Sequence, residues 1–241
     1  KSVNLIKSHS PQINKNEIIK DLKFNSLKIN NVSFGYNNLL VLKNINLQIY
    51  EKDFIFITGP SGCGKTTLLD IMCGLIEPTK GNIIINNQSS SQIRNSFIDK
   101  IYYLSQKSFI LNDTLDHNIA FADNEINNHK LNIAIKMAGL EKFSQKVRES
   151  LNRNLGEDAS KISGGEMQRI ALARALYSEK EILILDEFTS SLDDENENKI
   201  LETISELNKT KTIIIVSHNL EISKFVKKAY KIENGELIKI K

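Results

Sequence analysis

Gly59-Pro60-Ser61-Gly62-Cys63-Gly64-Lys65-Thr66 fits the spacing G-x-x-x-x-G-K-[S/T], and the residues on either side of it decide what it means. Residues 53–58 before it form a short apolar run with strand character, and residues 65–73 carry a helical pattern. A glycine-rich turn between a strand and a helix lets consecutive backbone N–H groups face one anion, and the helix N-terminus adds its partial positive charge. Lys65 is placed to reach the β- and γ-phosphates of a nucleotide, the Thr66 hydroxyl to ligate Mg²⁺, and Thr67 to add a hydroxyl to the α-phosphate. Within the loop, Cys63 reads as a small residue that fits.

Such a loop needs an acidic partner, and Ile182-Leu183-Ile184-Leu185-Asp186-Glu187 supplies one at the end of an apolar run typical of a buried parallel strand. Because side chains alternate along a strand, Asp186 is expected to face Mg²⁺ through its water shell and Glu187 the water that attacks the γ-phosphate. The strand over residues 212–216 ends in Ser217-His218, where ligands gather in parallel α/β sheets, so His218 is expected at the γ-phosphate. Gln106, after a strand over residues 101–105, offers a neutral amide oxygen suited to Mg²⁺ or to the attacking water. Ser163-Gly164-Gly165 precedes an Ala-rich amphipathic helix and makes a second glycine-lined helix N-terminus, hence a second anion site.

The rest of the chain supports a globular frame for these sites. Its 241 residues are 25% charged and 40% hydrophobic, and 32 basic against 29 acidic side chains leave a net charge of +3. That balance gives little electrostatic drive toward nucleic acid, which is not expected as a partner. Runs such as residues 54–57, 182–185 and 213–216 are far short of the ~18–20 apolar residues of a membrane helix. Two cysteines, Cys63 and Cys73, would be separated by about 15 Å if both lay on one helix, too far for a disulfide, and a reducing compartment is expected. The chain begins at Lys1 without a leader and reads as a domain cut from something longer, with polar residues 1–25 as a linker or the tail of a preceding segment.

From residue 26 the pattern is one of short strands over residues 27–34, 42–49 and 53–58, with a turn at Asn37-Asn38 that makes a mostly antiparallel opening. A further strand is expected over residues 81–86, and helical patterns dominate residues 106–176. Strand and helix then alternate over residues 181–187, 194–207, 211–217 and 220–225, the signature of a parallel sheet covered by helices. The expected fold is α/β: a P-loop NTPase core with a mostly parallel sheet, an N-terminal antiparallel β-subdomain, and an inserted helical subdomain over about residues 107–176.

Taken in this order, the motifs resemble the ATP-binding cassette (ABC) ATPases over essentially residues 27–241. The resemblance implies that Tyr36 stacks on adenine, that Gly59 through Thr67 hold the phosphates, and that Thr66, Gln106 and Asp186 serve the metal. It makes Lys65, Gln106, Glu187 and His218 the catalytic set and Ser191-Leu192-Asp193 the D-loop, with Asp193 at the nucleotide. Ser163, Gly164 and Gly165 of one copy are expected to close on the ATP held by the other, so the γ-phosphate joins a head-to-tail homodimer. The stretch from Gln106 to Leu115, Asn118-Ile119, and Gly156-Glu157 before the signature resemble the exporter branch, where this region touches the cytoplasmic loops of a transmembrane domain. That domain lies outside this chain, and the cytoplasmic face of a membrane is the expected location. The chain departs from the commonest pattern at Ile162 and Glu166 flanking Ser-Gly-Gly, at Ala159, and at Asn219 after the histidine. An importer subunit and a soluble, non-transport ABC ATPase remain alternatives. A chromosome-type protein would need a long coiled coil between loop and signature, where Ile162 stands only 97 positions after Lys65.

Overall fold

A computed structural model of the chain describes residues 22–241, apart from 38, 107, 122, 124, 150–153, 157–161 and 190–193. The first strands, β1 (Ser26–Tyr36) and β2 (Leu39–Tyr50), pair antiparallel, and β4 (Lys80–Ile85) and the short β5 (Gln88–Ser89) extend that sheet in the order β2-β1-β4-β5. Apolar and polar residues alternate along β2, so Leu42, Ile45, Leu47 and Ile49 are buried while their neighbours face outward. Phe24, at the end of the stretch read as a linker, is buried too; its ring tilts against Phe97, and its N–H donates to Glu181 Oε2 at 3.0 Å.

The main sheet is built from β3 (Phe54–Thr58), β6 (Ile101–Leu104), β7 (Ile182–Asp186), β8 (Thr212–Val216), β9 (Lys228–Glu233) and β10 (Glu236–Lys239), in the order β10-β9-β3-β8-β7-β6. All neighbours are parallel except β9 and β10. Every residue of β3, β7 and β8 is buried, because both faces of the sheet are covered. The strand period of two sorts the residues. Phe56, Leu183, Leu185, Ile213 and Ile215 face a helical layer, while Ile55, Ile57, Ile182, Ile184, Ile214 and Val216 face the antiparallel sheet and helix α1 (Lys65–Met72).

After α2 (Ser90–Ile98), the helical insertion between β6 and β7 comprises α3 (Leu115–Ile119), α4 (Asn128–Met137), α5 (Glu141–Glu149) and α6 (Gly164–Tyr177); α7 (Asp194–Leu207) follows β7. No helix among the described residues is long and apolar enough to cross a membrane. Two details differ from the sequence reading. Residues 220–225 form a 3₁₀ turn, Leu220–Lys224, capped by the Asn219 side chain, rather than an α-helix. Cys63 lies in the loop before α1 and Cys73 at its C-cap, so the two do not share a helix; both are free.

The segment entering the helical insertion is fixed by Asn118, which is fully buried. Its side chain accepts from Leu111 N at 2.8 Å and donates to the carbonyls of Leu111, Asp113 and Thr114 at 2.9–3.1 Å. Arg174 Nε donates to the Asn118 carbonyl at 2.7 Å, and the guanidinium lies over the rings of Phe109 and Phe121. Gly156 completes the loop, since a Cβ there would fall 2.3 Å from Asn112 Cα. Asn118→Ala orphans a buried donor and several carbonyls at once, and thermal or urea unfolding is expected to show a loss of about 2–4 kcal/mol; a loss under 1 kcal/mol would mean that the loop is held elsewhere.

Candidate functional site

Register brings the chemistry to one edge. Ile57 pairs with Val216, Asp186 with Val216, and Leu104 with Leu185, so the segments leaving β3, β8, β7 and β6 emerge side by side at the C-terminal ends of parallel strands. The loop after β3 curls tightly: a Cβ on Gly59 would fall 2.5 Å from the Ile232 carbonyl and 2.7 Å from Cys63 Sγ. Gly64, the N-cap of α1, has φ +103° with Leu42 and Val41 pressed against it. An open cleft of about 350 Å³ results, lined by Tyr36, Ser61, Gly62, Gly64, Lys65, Thr66, Thr67, Gln106, Asp186 and Glu187. Gly59, Pro60 and Cys63 shape the loop instead: the carbonyls of Gly59 and Pro60 accept from Lys65 Nζ at 2.9 and 3.1 Å. Lys65 is thus a buried cation, 7% exposed, with its ammonium aimed across the loop.

Glu187 sits among nitrogen groups of three side chains. His218 Nε2 stands 2.9 Å and Lys65 Nζ 3.8 Å from its Oε1, and Gln106 Nε2 donates to its Oε2 at 2.8 Å. Strand alternation is not what aims it, as the sequence reading had assumed. The strand ends at Asp186, and Glu187 itself is left-handed, φ +48°, with its N–H donating to the Val216 carbonyl at 2.8 Å. That turn swings the carboxylate toward Lys65 while Asp186 stays in line with its strand.

Asp186 is 3% exposed, and its Oδ2 accepts from the Thr66 hydroxyl at 3.2 Å and the Tyr103 hydroxyl at 3.3 Å. Burial pushes its carboxyl above the usual range; the bonds from Thr66 and Tyr103 pull it back, and the charge of Glu187 adds to the upward push. Burial also drives the Tyr103 phenol far above its ordinary value, reinforced by the neighbouring carboxylates of Asp186 and Asp70. Tyr103 was not among the residues singled out from the sequence; a tyrosine inside a strand carries no local signal of this contact.

Ser163, Gly164 and Gly165 lie at the N-terminus of α6, outside the lining of the cleft. Ser163 is the N-cap of a complete capping box. Its Oγ accepts from Glu166 N at 3.2 Å, and Glu166 Oε2 takes both the Ser163 N–H at 2.8 Å and its hydroxyl at 2.7 Å. The departure at Glu166 therefore places a carboxylate on the serine's donors, and the spacing S-x-x-E was its signal in the sequence. Asn219 donates Nδ2 to Glu197 Oε2 at 2.9 Å, tying the turn after His218 to α7. Glu157, Ala159, and Ser191-Leu192-Asp193 lie outside the described residues.

Comparison with known proteins bears on the fold and the family. The sequence profile of the ABC transporter family matches residues 42–190. The chain is 37% identical over 217 residues to an export ATP-binding/permease protein of Rickettsia typhi, covering 88% of this chain and 38% of that protein. It is 32% identical over 214 residues to an ATP-dependent lipid A-core flippase of Desulfotalea psychrophila, covering 88% of this chain and 37% of that one. The chain thus spans little more than a third of the length of these relatives. Among solved structures, a bacterial Atm1-family ABC exporter with ATP bound superposes with a TM-score of 0.80 at 28% identity, over 89% of this chain and 38% of that one. With the strand-end cluster, the glycine-rich loop and the Ser-Gly-Gly helix set in this order on this fold, the chain belongs to the ABC transporter family, as an ATP-binding domain similar to those of exporters.

Proposed function

We propose that residues 26–241 bind and hydrolyse ATP with Mg²⁺ and power an exporter, working as a head-to-tail pair of copies at the cytoplasmic face of a membrane. The observation that carries this reading is the Glu187 carboxylate held by Lys65, His218 and Gln106, donors from three separate segments that converge on one anion. A γ-phosphate entering the loop competes for Lys65 and His218. Glu187 is thereby released to orient or deprotonate the attacking water, and Gln106 to help position it. Tyr36, half exposed at the rim, supplies an aromatic face for adenine.

The donor set beside the loop suits magnesium: the Thr66 hydroxyl and the Asp186 carboxylate are hard oxygen ligands held together. Among the described residues no group of three or more His, Cys, Asp or Glu is arranged to hold a metal. A cation carried by that hydroxyl and carboxylate would complete its shell with phosphates and water. When bound, the metal offsets the charge on the β- and γ-phosphates.

Export, rather than import, is supported by the names of the relatives and by the segment after Gln106. There Phe109 and Phe121, each about half exposed, meet edge to face above Arg174 and form an aromatic surface suited to a loop of a transmembrane domain. The position of Ser163, Gly164 and Gly165 outside the cleft supports their serving the nucleotide of a second copy. Solution mass by light scattering tests the pairing. The Glu187→Gln domain is expected to be dimeric in Mg·ATP and monomeric in Mg·ADP; a monomer in both, with ATP binding shown on the same sample, overturns nucleotide-driven pairing of the isolated domain.

A further inference from the structure

Tyr103 lies one strand away from the proposed metal ligands, and the sheet register explains why its hydroxyl reaches them. On β6, Ile101 and Tyr103 face the α1 side of the sheet, while Tyr102 and Leu104 face the helical side. Tyr103 pairs with Ile184 of β7, and Asp186 is the next residue along the same face of that strand. The two are therefore diagonal neighbours, within reach of a long aromatic side chain. α1 covers this face and brings Thr66 to the same point.

All the hydrogen bonds to the Asp186 carboxylate among the described residues fall on Oδ2, from Thr66 on one side and Tyr103 on the other. A carboxylate with one oxygen engaged by two protein donors has its plane fixed and its second oxygen left for the metal's shell. We propose that Tyr103 is a positioning residue for the metal, orienting Asp186 through Oδ2 so that Oδ1 serves the magnesium of the nucleotide complex. The proposal rests on the reading of the cleft as a Mg·ATP site. It gives Tyr103 no contact with nucleotide and no part in the attack of water. Its effect is confined to how well the site holds the divalent ion.

Tyr103→Phe removes one oxygen and leaves the ring, which packs against the apolar cluster on the α1 face. The test is Mn²⁺ binding to the ADP complex, followed by electron paramagnetic resonance, beside ADP affinity in excess EDTA and the melting temperature. The expected result is Mn²⁺ affinity weakened roughly tenfold, as for other outer-shell partners of metal ligands, with metal-free ADP affinity within twofold of the unsubstituted chain. Tyr103→Met, also without a hydroxyl, is expected to repeat the loss and serves if the first variant fails to fold. Mn²⁺ affinity within twofold of the unsubstituted chain overturns the proposal. So does equal weakening with and without metal, which marks a general packing role. Failure of the unsubstituted chain to bind ADP at all overturns the nucleotide-site reading and this proposal with it, whereas normal ADP binding with an unaffected Mn²⁺ step removes Tyr103 alone.

Discussion

Glu187→Gln is expected to lower ATP turnover by about 10²–10⁴-fold, the range for loss of a positioned general base, while ATP binding persists. The substitution keeps the shape of the side chain and the left-handed turn that aims it, because that turn is held by the backbone bond to Val216. What it removes is charge. In the free chain the carboxylate occupies the donors of Lys65, His218 and Gln106. A neutral amide accepts through one atom only, and its NH₂ group must face either His218 or Gln106, donor against donor unless the neighbour turns. The occupant that ATP displaces is therefore bound less firmly in the variant, and ATP affinity is expected to be equal to or tighter than that of the unsubstituted chain. Phosphate release and calorimetric ATP binding measured on one preparation separate the two effects. Turnover within tenfold of the unsubstituted chain would sink the assignment of Glu187 as the water-activating group.

Much of this site is legible in the sequence because its parts are contiguous. Gly59 through Thr66 declare a phosphate loop by spacing alone, and Asp186 and His218 stand out because each closes, or closely follows, an apolar strand. The central strands are readable for the same reason, being short runs buried on both faces. What escapes is whatever depends on backbone conformation at a single residue or on register between strands. The direction of Glu187 comes from a left-handed turn, which glutamate's own chemistry does not announce. Tyr103 reaches Asp186 only because β6 pairs with β7 in one register, and a slip of one residue would turn the phenol to the opposite face. The β9–β10 hairpin does carry a local signal: Asn234-Gly235, both at positive φ, is a strong two-residue turn flanked by strand-forming residues.

Lys65→Ala is expected to weaken ATP binding by at least 10²-fold, and the reason begins in the free chain. The ammonium is buried, satisfied by the Gly59 and Pro60 carbonyls and faced by Glu187 and His218. Two of its three N–H groups are held by those carbonyls, so one phosphate takes the third without the side chain having to be ordered, and a second phosphate faces the same charge. One such bond contributes about 1.5–3 kcal/mol, and with the attraction to the second phosphate its loss covers a hundredfold change. Lys65→Arg is expected to fail as well, since a planar fork cannot place a single donor between those two carbonyls. The same substitution acts on the apo chain by a separate route: it leaves Glu187 without its nearest ammonium and two loop carbonyls without a donor. A cycle of Lys65→Ala and Glu187→Gln, scored by unfolding free energy without nucleotide, is expected to show coupling of about 0.5–3 kcal/mol. ATP affinity in the pair should stay as weak as in Lys65→Ala alone. Coupling without loss of ATP affinity would make Lys65 a structural prop of the loop; loss of affinity without coupling would mean that the contact with Glu187 is incidental to how the empty site is held.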